Sequence, residues 1–442
     1  MPERSSSTSV STKLQRTAEL ARQMPGKALT NLAHHIDIEW LREAFRRTRK
    51  DGAVGMDGQT WSDYERDLEA NLESLLTRFK SGSYRAPPVR RVHIPKGDGT
   101  KTRPIGIPTL EDKVLQRAVA MALSAVYEQD FLDCSYGFRP RRSAHQALAR
   151  LREATMDMWG GWIVEVDIER FFDTLDHGRL RTIIEQRVRD GVILRQIGKW
   201  LHAGVLEGGN VTYPEEGTPQ GGVISPLLAN VYLHATIDCW IEDIVKPKSH
   251  GPVVLVRYAD DFVILCRSER DARAIFAALP RRLEEYGLKM HPAKSRLIPF
   301  RQPPRRGPKE KVSFDFLGFT VAWMKSRKGI WVLFHVTSRK RLTRSLSRLR
   351  EWLARNRHRP IREQTRLLSQ KLLGHYAYFG VPGNAAGLKR FYDAVRRERK
   401  KWLGRRSWRG ALFWDRFREL EKRYPLPPPR LVHRSAPTAA NP

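Results

Sequence analysis

The chain has 442 residues and carries 80 Lys+Arg against 48 Asp+Glu, a formal charge of +32. This length buries a substantial core with room for roughly two to four domains, and the charge points to a polyanionic partner whose binding weakens as salt rises. No apolar stretch approaches the roughly 20 residues of a bilayer span, and the isolated Cys134, Cys239 and Cys266 argue against a disulfide framework and a Cys-rich zinc site.

The opening "MPERSSSTSVSTKLQR" has no apolar run of the secretory type, and its serines predict a flexible extension over residues 1–30 of a reduced, intracellular protein. "IDIEWLREAFRRTRKDG" has helical periodicity and stops at Gly52. "VRRVHIPKGDGTKTRPIGIP" reads as two strands joined by a turn at Gly97, Asp98 and Gly99. From Glu111 onward, Val114, Leu115, Ala118, Val119, Ala122, Leu123 and Val126 predict a buried helix.

Between residues 160 and 300 short strands alternate with helices. "GWIVEVDIERFF" sets a single acid, Asp167, at the end of an apolar strand. "GTPQGGVISPLLANVYL" starts as a Gly-rich loop and becomes a helix, with Ser225 expected as N-cap and Pro226 in its first turn. "VVLVRYADDFVILC" reads as a hairpin, and "DARAIFAALPRRLEEYGL" as the next helix. The Pro-rich, basic stretch "RQPPRRGPKEK" at 301–311 suggests a domain boundary. Beyond it Leu342, Leu346, Leu349 and Leu353 form one helical stripe, while Arg341, Arg344, Arg348, Arg350 and Arg355 are free to meet phosphates. The Pro-rich end predicts an extended or disordered tail.

Asp260 and Asp261 alone are compatible with an ordinary hairpin turn, where Asp is favoured for its backbone hydrogen bonds. Asp167 adds a second lone acid among apolar strands, and buried carboxylates need a cation. That cation is either Arg or Lys, or a divalent metal. Hard oxygen ligands without neighbouring His or Cys suit Mg²⁺, and a pair of such ions assists in-line displacement at phosphorus. Lys96, Arg103 and Lys294 offer charge for a triphosphate, although each taken singly reads more readily as a solvated surface cation than as a functional one. Gly217–Gly222 allows close backbone approach, and Phe172 reads either as a ring under a sugar or as a core aromatic.

"YADD" at Tyr258–Asp261, downstream of "VDIERFFDTLDH" and "GTPQGGVISPLLANVYL", resembles the palm of reverse transcriptases. With "GMDG", "RPIGIPTLEDKVLQ", "SYGFRP", "SAHQAL" and "FDFLGFT", the sequence resembles group II intron-encoded reverse transcriptase–maturases from about Leu32 to about Pro427. The resemblance implies an α+β right-hand polymerase with a mixed α/β palm and a helical thumb. It places fingers over 31–130, palm over 131–300, a palm–thumb connection over 301–334, a thumb or X domain over 335–428 and a tail over 429–442. It implies catalytic, metal-binding roles for Asp167, Asp260 and Asp261. Nucleotide-binding roles fall on Lys96, Arg103, Phe172, Gln220 and Lys294, with Phe172 discriminating deoxyribose from ribose.

The cofactor implied is a pair of Mg²⁺ ions, with Mn²⁺ as a substitute. The partners implied are group II intron RNA, a DNA primer or target and dNTPs, with no membrane and no small-molecule redox cofactor, in the nucleoid-associated cytoplasm of a bacterium. "GHYAYFGVPGN", the ending "YPLPPPRLVH" and the lack of Cys pairs resemble the compact bacterial class C type without an endonuclease domain. That type implies target priming from a pre-existing 3′ end. Met56 in "GMDG" and His291 in "MHPAKS" depart from commoner family residues without touching the acids. Two other functions stay open: an RNA-binding splicing cofactor whose polymerase site goes unused in the cell, and a reverse transcriptase recruited to non-intron RNA.

Overall fold

A computed structural model describes residues 3–96, 101–207, 209–213, 221–304, 312–326, 328–406 and 412–433. The chain forms two compact units, one from Met1–Ala147 with Trp162–Ile298, the other from Leu148–Gly161 with Pro299–Pro442. A single cut near residue 301 therefore misses Leu148–Gly161. That segment is held in the second unit because Arg152 donates to the Leu333 carbonyl and Gln302 N–H to the Trp159 carbonyl.

In the first unit the expected flexible extension is instead a helix, Glu3–Gln23. Val10, Thr17 and Ala21 lie at helical spacing and are buried, and the helix packs against helix Leu110–Tyr127. Burial of this stripe outweighs the serine-rich composition that suggested disorder. Asp37 caps helix Ile38–Arg46, and Thr109 caps Leu110–Tyr127 by accepting from the Asp112 amide.

Strands β1 (Val89–Lys96) and β2 (Lys101–Ile107) pair antiparallel, with Ile94 opposite Arg103. Their expected turn at 97–99 lies outside the described residues. Strand β3 spans Gly160–Val166; β4 (Val205–Glu207) and β5 (Asn210–Thr212) complete a sheet of order β2-β1-β4-β5. Strands β6 (Val253–Tyr258), β7 (Asp261–Cys266) and β8 (Arg296–Arg301) join β3 in a second sheet, β6-β7-β3-β8. Phe262 to Cys266 are all buried, so β7 is covered on both faces. A strand buried this way reads as an unbroken apolar run instead of an alternating one.

Helix Ser225–Leu233 begins one residue earlier than expected. Ser225 is its first helical residue and Ile224 its cap, without a side-chain capping bond. The incoming amides of Val223 and Ile224 instead donate to Gln116 Oε1 at 2.7 and 3.3 Å, so a neighbouring helix does the work assigned to Ser225. The helix continues through π-helical segments at His234–Asp238 and Trp240–Val245.

In the second unit β9 (Ser313–Phe316), β10 (Phe319–Lys325) and β11 (Trp331–Thr337) form an antiparallel sheet of order β11-β10-β9. Helices Arg339–Arg355, Ile361–Phe379, Ala385–Gly404 and Trp414–Arg423 follow. On the first of these Leu349 and Leu353 are buried and Leu342 and Leu346 half-buried, while Arg341, Arg348, Arg350 and Arg355 are exposed. Buried Asn384 accepts from Thr337 N–H and donates to the Phe379 carbonyl and Thr337 Oγ1, joining strand to helix. The expected loose tail is pinned over 429–433, because Val432 and His433 N–H both donate to the Gly380 carbonyl; residues 434–442 lie outside the described residues.

Candidate active site

Asp167 is the first residue past β3, and the "HPAKS" segment wraps around it. Its N–H donates to Ser295 Oγ at 3.2 Å, and its carbonyl accepts from His291 N–H at 2.8 Å. Lys294 Nζ lies 3.0 Å from Asp167 Oδ2. His291 thus serves through its backbone amide.

Tyr258 pairs with Asp261, so only Ala259 and Asp260 make the turn between β6 and β7. Ala259 takes a left-handed φ of 56°, a conformation that usually selects glycine. Asp260 has its pKa pushed up by burial and by the like charge of Asp167, with Arg103 on β2 and Arg257 pulling the other way. The fold therefore brings Asp167, Asp260, Arg103 and Lys294 within electrostatic reach, although they are spread from β2 to the segment before β8. Phe172 is half-buried, its ring 5.2 Å from Phe171 in an edge contact.

Other expected positions are less fully drawn. Asp261 opens β7 as its one exposed residue, at the turn end of a strand whose other residues, Phe262 to Cys266, are all buried. Among the described residues no three His, Cys, Asp or Glu side chains converge into a ready-made metal cage. The pair Asp167 and Asp260 nevertheless fits Mg²⁺, which takes one or two carboxylates and completes its shell with water and substrate phosphate. Lys96 ends β1 with its side chain outside the described residues, and Gln220 lies outside them entirely. The next residue, Gly221, has φ +123°, and a Cβ there would fall 2.5 Å from the Gly106 carbonyl oxygen. Only glycine lets the backbone at this position press so closely against β2.

Around the turn stands a buried network that the motif reading did not single out. Arg257, fully buried, donates through Nε to Asp238 Oδ1 at 2.6 Å and through Nη2 to Oδ2. Its Nη1 donates to Asn230 Oδ1 at 3.0 Å and to the Ala259 carbonyl at 3.2 Å. Asn230 in turn donates to the Gly137 carbonyl at 2.7 Å. Burial would push Asp238 up, but the Arg257 charge overrides it and holds the carboxyl below its usual range. A Cβ on Gly137 would lie 2.4 Å from Ala259 N, so "SYGFRP" and "YADD" meet backbone to backbone. The available signal was a lone arginine in the apolar strand "VVLVRY".

A second network ends on the amides of Val223 and Ile224. Buried Asp112 accepts from Trp200 Nε1 at 2.7 Å, Tyr84 OH at 3.0 Å and Gln116 Nε2 at 2.9 Å. Gln116 then presents Oε1 to Val223 and Ile224 N–H. Burial pushes Asp112 from an ordinary 3.8 up to about 6 against these three donors. The folded state keeps the proton where the unfolded chain has released it. This group's contribution is therefore full below 3.8 and is lost as pH rises through about 6. The unfolding free energy of wild type relative to Asp112→Asn should accordingly fall between about pH 4 and about pH 6; a flat difference in urea titrations across that range would overturn the assignment.

Comparisons with known proteins meet this geometry. A family model described as "Reverse transcriptase (RNA-dependent DNA polymerase)" matches residues 94–321, which contain every acid discussed above from Asp112 to Asp261. The chain is 36% identical over 263 residues to Protein YkfC of Escherichia coli (strain K12), covering 52% of this chain and 69% of that protein. It is 44% identical over 168 residues to group II intron-encoded protein LtrA of Lactococcus lactis subsp. cremoris, covering 38% of this chain and 27% of LtrA. It is 25% identical over 336 residues to a putative COX1/OXI3 intron 1 protein of Saccharomyces cerevisiae, covering 65% of this chain and 38% of the relative.

Proposed function

Because the chain belongs to the reverse transcriptase (RNA-dependent DNA polymerase) family, matched over more than half its length, we propose that it copies a group II intron RNA into cDNA and binds that RNA to assist splicing and retrohoming. The observation that carries the polymerase reading is the pairing of Asp167 with Asp260 beside Arg103 and Lys294. The likeness to LtrA, described as group II intron-encoded, supports an intron RNA as template. The exposed arginines of helix Arg339–Arg355 support the RNA-binding part.

In this reading β1 and β2 belong to the fingers, the sheet β6-β7-β3-β8 to the palm and the helices after Ser338 to the thumb. Asp167 and Asp260 would hold Mg²⁺, or Mn²⁺ in its place, with Asp261 alongside. Bound there, a pair of such ions would activate the primer 3′-OH and neutralise charge on the departing pyrophosphate. Arg103, Lys96 and Gln220 are the residues assigned to the incoming dNTP. Lys294 tethers Asp167 and supplies positive charge beside the phosphates. A primer 3′-OH attacking the α-phosphate of a dNTP is the chemistry this set of groups serves.

Primer extension with dNTPs on an RNA template tests the reading directly, and no extension with either Mg²⁺ or Mn²⁺ would refute it. Phe172 gives a sharper version. If its ring lies where a 2′-OH would sit, Phe172→Val should admit ribonucleotides, raising the rNTP-to-dNTP ratio of kcat/KM roughly 10- to 100-fold. An unchanged ratio would return Phe172 to a core role beside Phe171.

A further inference from the structure

Phe138 is placed where folding gains little from it. The residue is 61% exposed, yet its backbone has a left-handed φ of 56°. A bulky side chain is costly in that region, and glycine or asparagine would serve a plain surface turn better. Single exposed apolar residues are ordinary on protein surfaces; one held in a strained conformation beside a catalytic turn is not.

The strain is imposed by rigid flanks. On one side Gly137 is clamped against Ala259 and accepts from Asn230. On the other, buried Arg139 donates to Glu128 and to the carbonyls of Leu132 and Ser135. The ring that results stands 6.3 Å from that of Tyr258, two residues before Asp260.

We infer that Phe138 is a contact residue for the primer strand, its ring packing on the terminal nucleotide whose 3′-OH reacts at Asp167 and Asp260. An aromatic face suits this ligand because every base has a π-face, so the contact tolerates any sequence. The inference rests on the polymerase reading above and adds a binding residue to it.

The test uses the full chain and a fluorescein-labelled DNA primer annealed to an RNA template. By fluorescence anisotropy, Phe138→Ala and Phe138→Gly should each weaken duplex binding roughly ten-fold, while Phe138→Trp stays close to wild type. Phe138→Gly should melt no lower than wild type, because glycine accepts the left-handed backbone. A 5-iodouracil at the primer 3′ end should crosslink under ultraviolet light to the peptide containing Phe138, and less so in Phe138→Ala. Wild-type affinity in both truncated variants would overturn the inference, as would a changed KM for dNTP with unchanged duplex affinity. A Phe138→Gly protein that melts lower would assign the ring a packing role and also overturn it. Wild-type protein that binds the duplex in this pattern without extending it would refute the polymerase reading and leave the contact supported.

Discussion

Asp260→Asn should reduce RNA-templated primer extension by on the order of 10³-fold or more in kcat, since a carboxylate that organises cationic charge at a reacting phosphate contributes several kcal/mol to the transition state. The change is nearly isosteric and removes only charge. Asp260 is pushed up by burial and by repulsion from Asp167, so the folded chain loses nothing by its neutralisation. The variant should unfold at the same or a higher denaturant concentration than wild type. RNA affinity should persist, because that term depends on the basic surface. Single-turnover extension, urea unfolding and RNA binding on one preparation separate these effects. Extension at the wild-type rate would remove Asp260 from catalysis. If RNA binding were lost as well, copying and RNA recognition could not be separate activities of this chain.

Arg257→Met should be the most destabilising single change near the site, at about 3 kcal/mol in urea unfolding, because it removes the guanidinium paired with buried Asp238 and leaves only His234 Nδ1, 3.6 Å away, to offset that charge. Both partners are fully buried, and replacing such a pair together by apolar residues is often neutral or stabilising. Arg257→Met combined with Asp238→Leu should therefore recover most of the stability. It should not recover polymerisation, because the guanidinium that holds Asn230 Oδ1 and the Ala259 carbonyl is gone. The double variant thus distinguishes a packing role from a positioning role. Full activity would mean that the turn keeps its geometry unaided, and a single variant as stable as wild type would mean that the pair contributes nothing to the fold.

Much of this was legible along the chain. The apolar runs on either side of Asp260 and Asp261 predicted a hairpin, and β6 and β7 form it with Tyr258 opposite Asp261. The helix expected from Glu111, which begins at Leu110, and the strand expected to run up to Asp167, which ends at Val166, also stand where local sequence placed them. These are local properties: the side-chain period and the turn residues act over a few positions, and a sequence displays them directly.

Other readings failed because a distant partner decided the outcome. Serines at the start suggested disorder, but Val10, Thr17 and Ala21 find a helix to pack on almost a hundred residues later. Ser225 was expected to cap its helix, and Gln116 instead receives the incoming amides.

By itself, then, the sequence determined the element types around the Ala259–Asp260 turn, the acids it carries and the strong positive charge of the chain. Tertiary structure alone decided which charges meet. Lys294 reaches Asp167 across 127 positions, and Arg257 finds Asp238 only through a helix that the hairpin packs against. The physical reason is that periodicity is a near-neighbour property, whereas the energy of a buried charge depends on what the fold brings within a few ångströms of it.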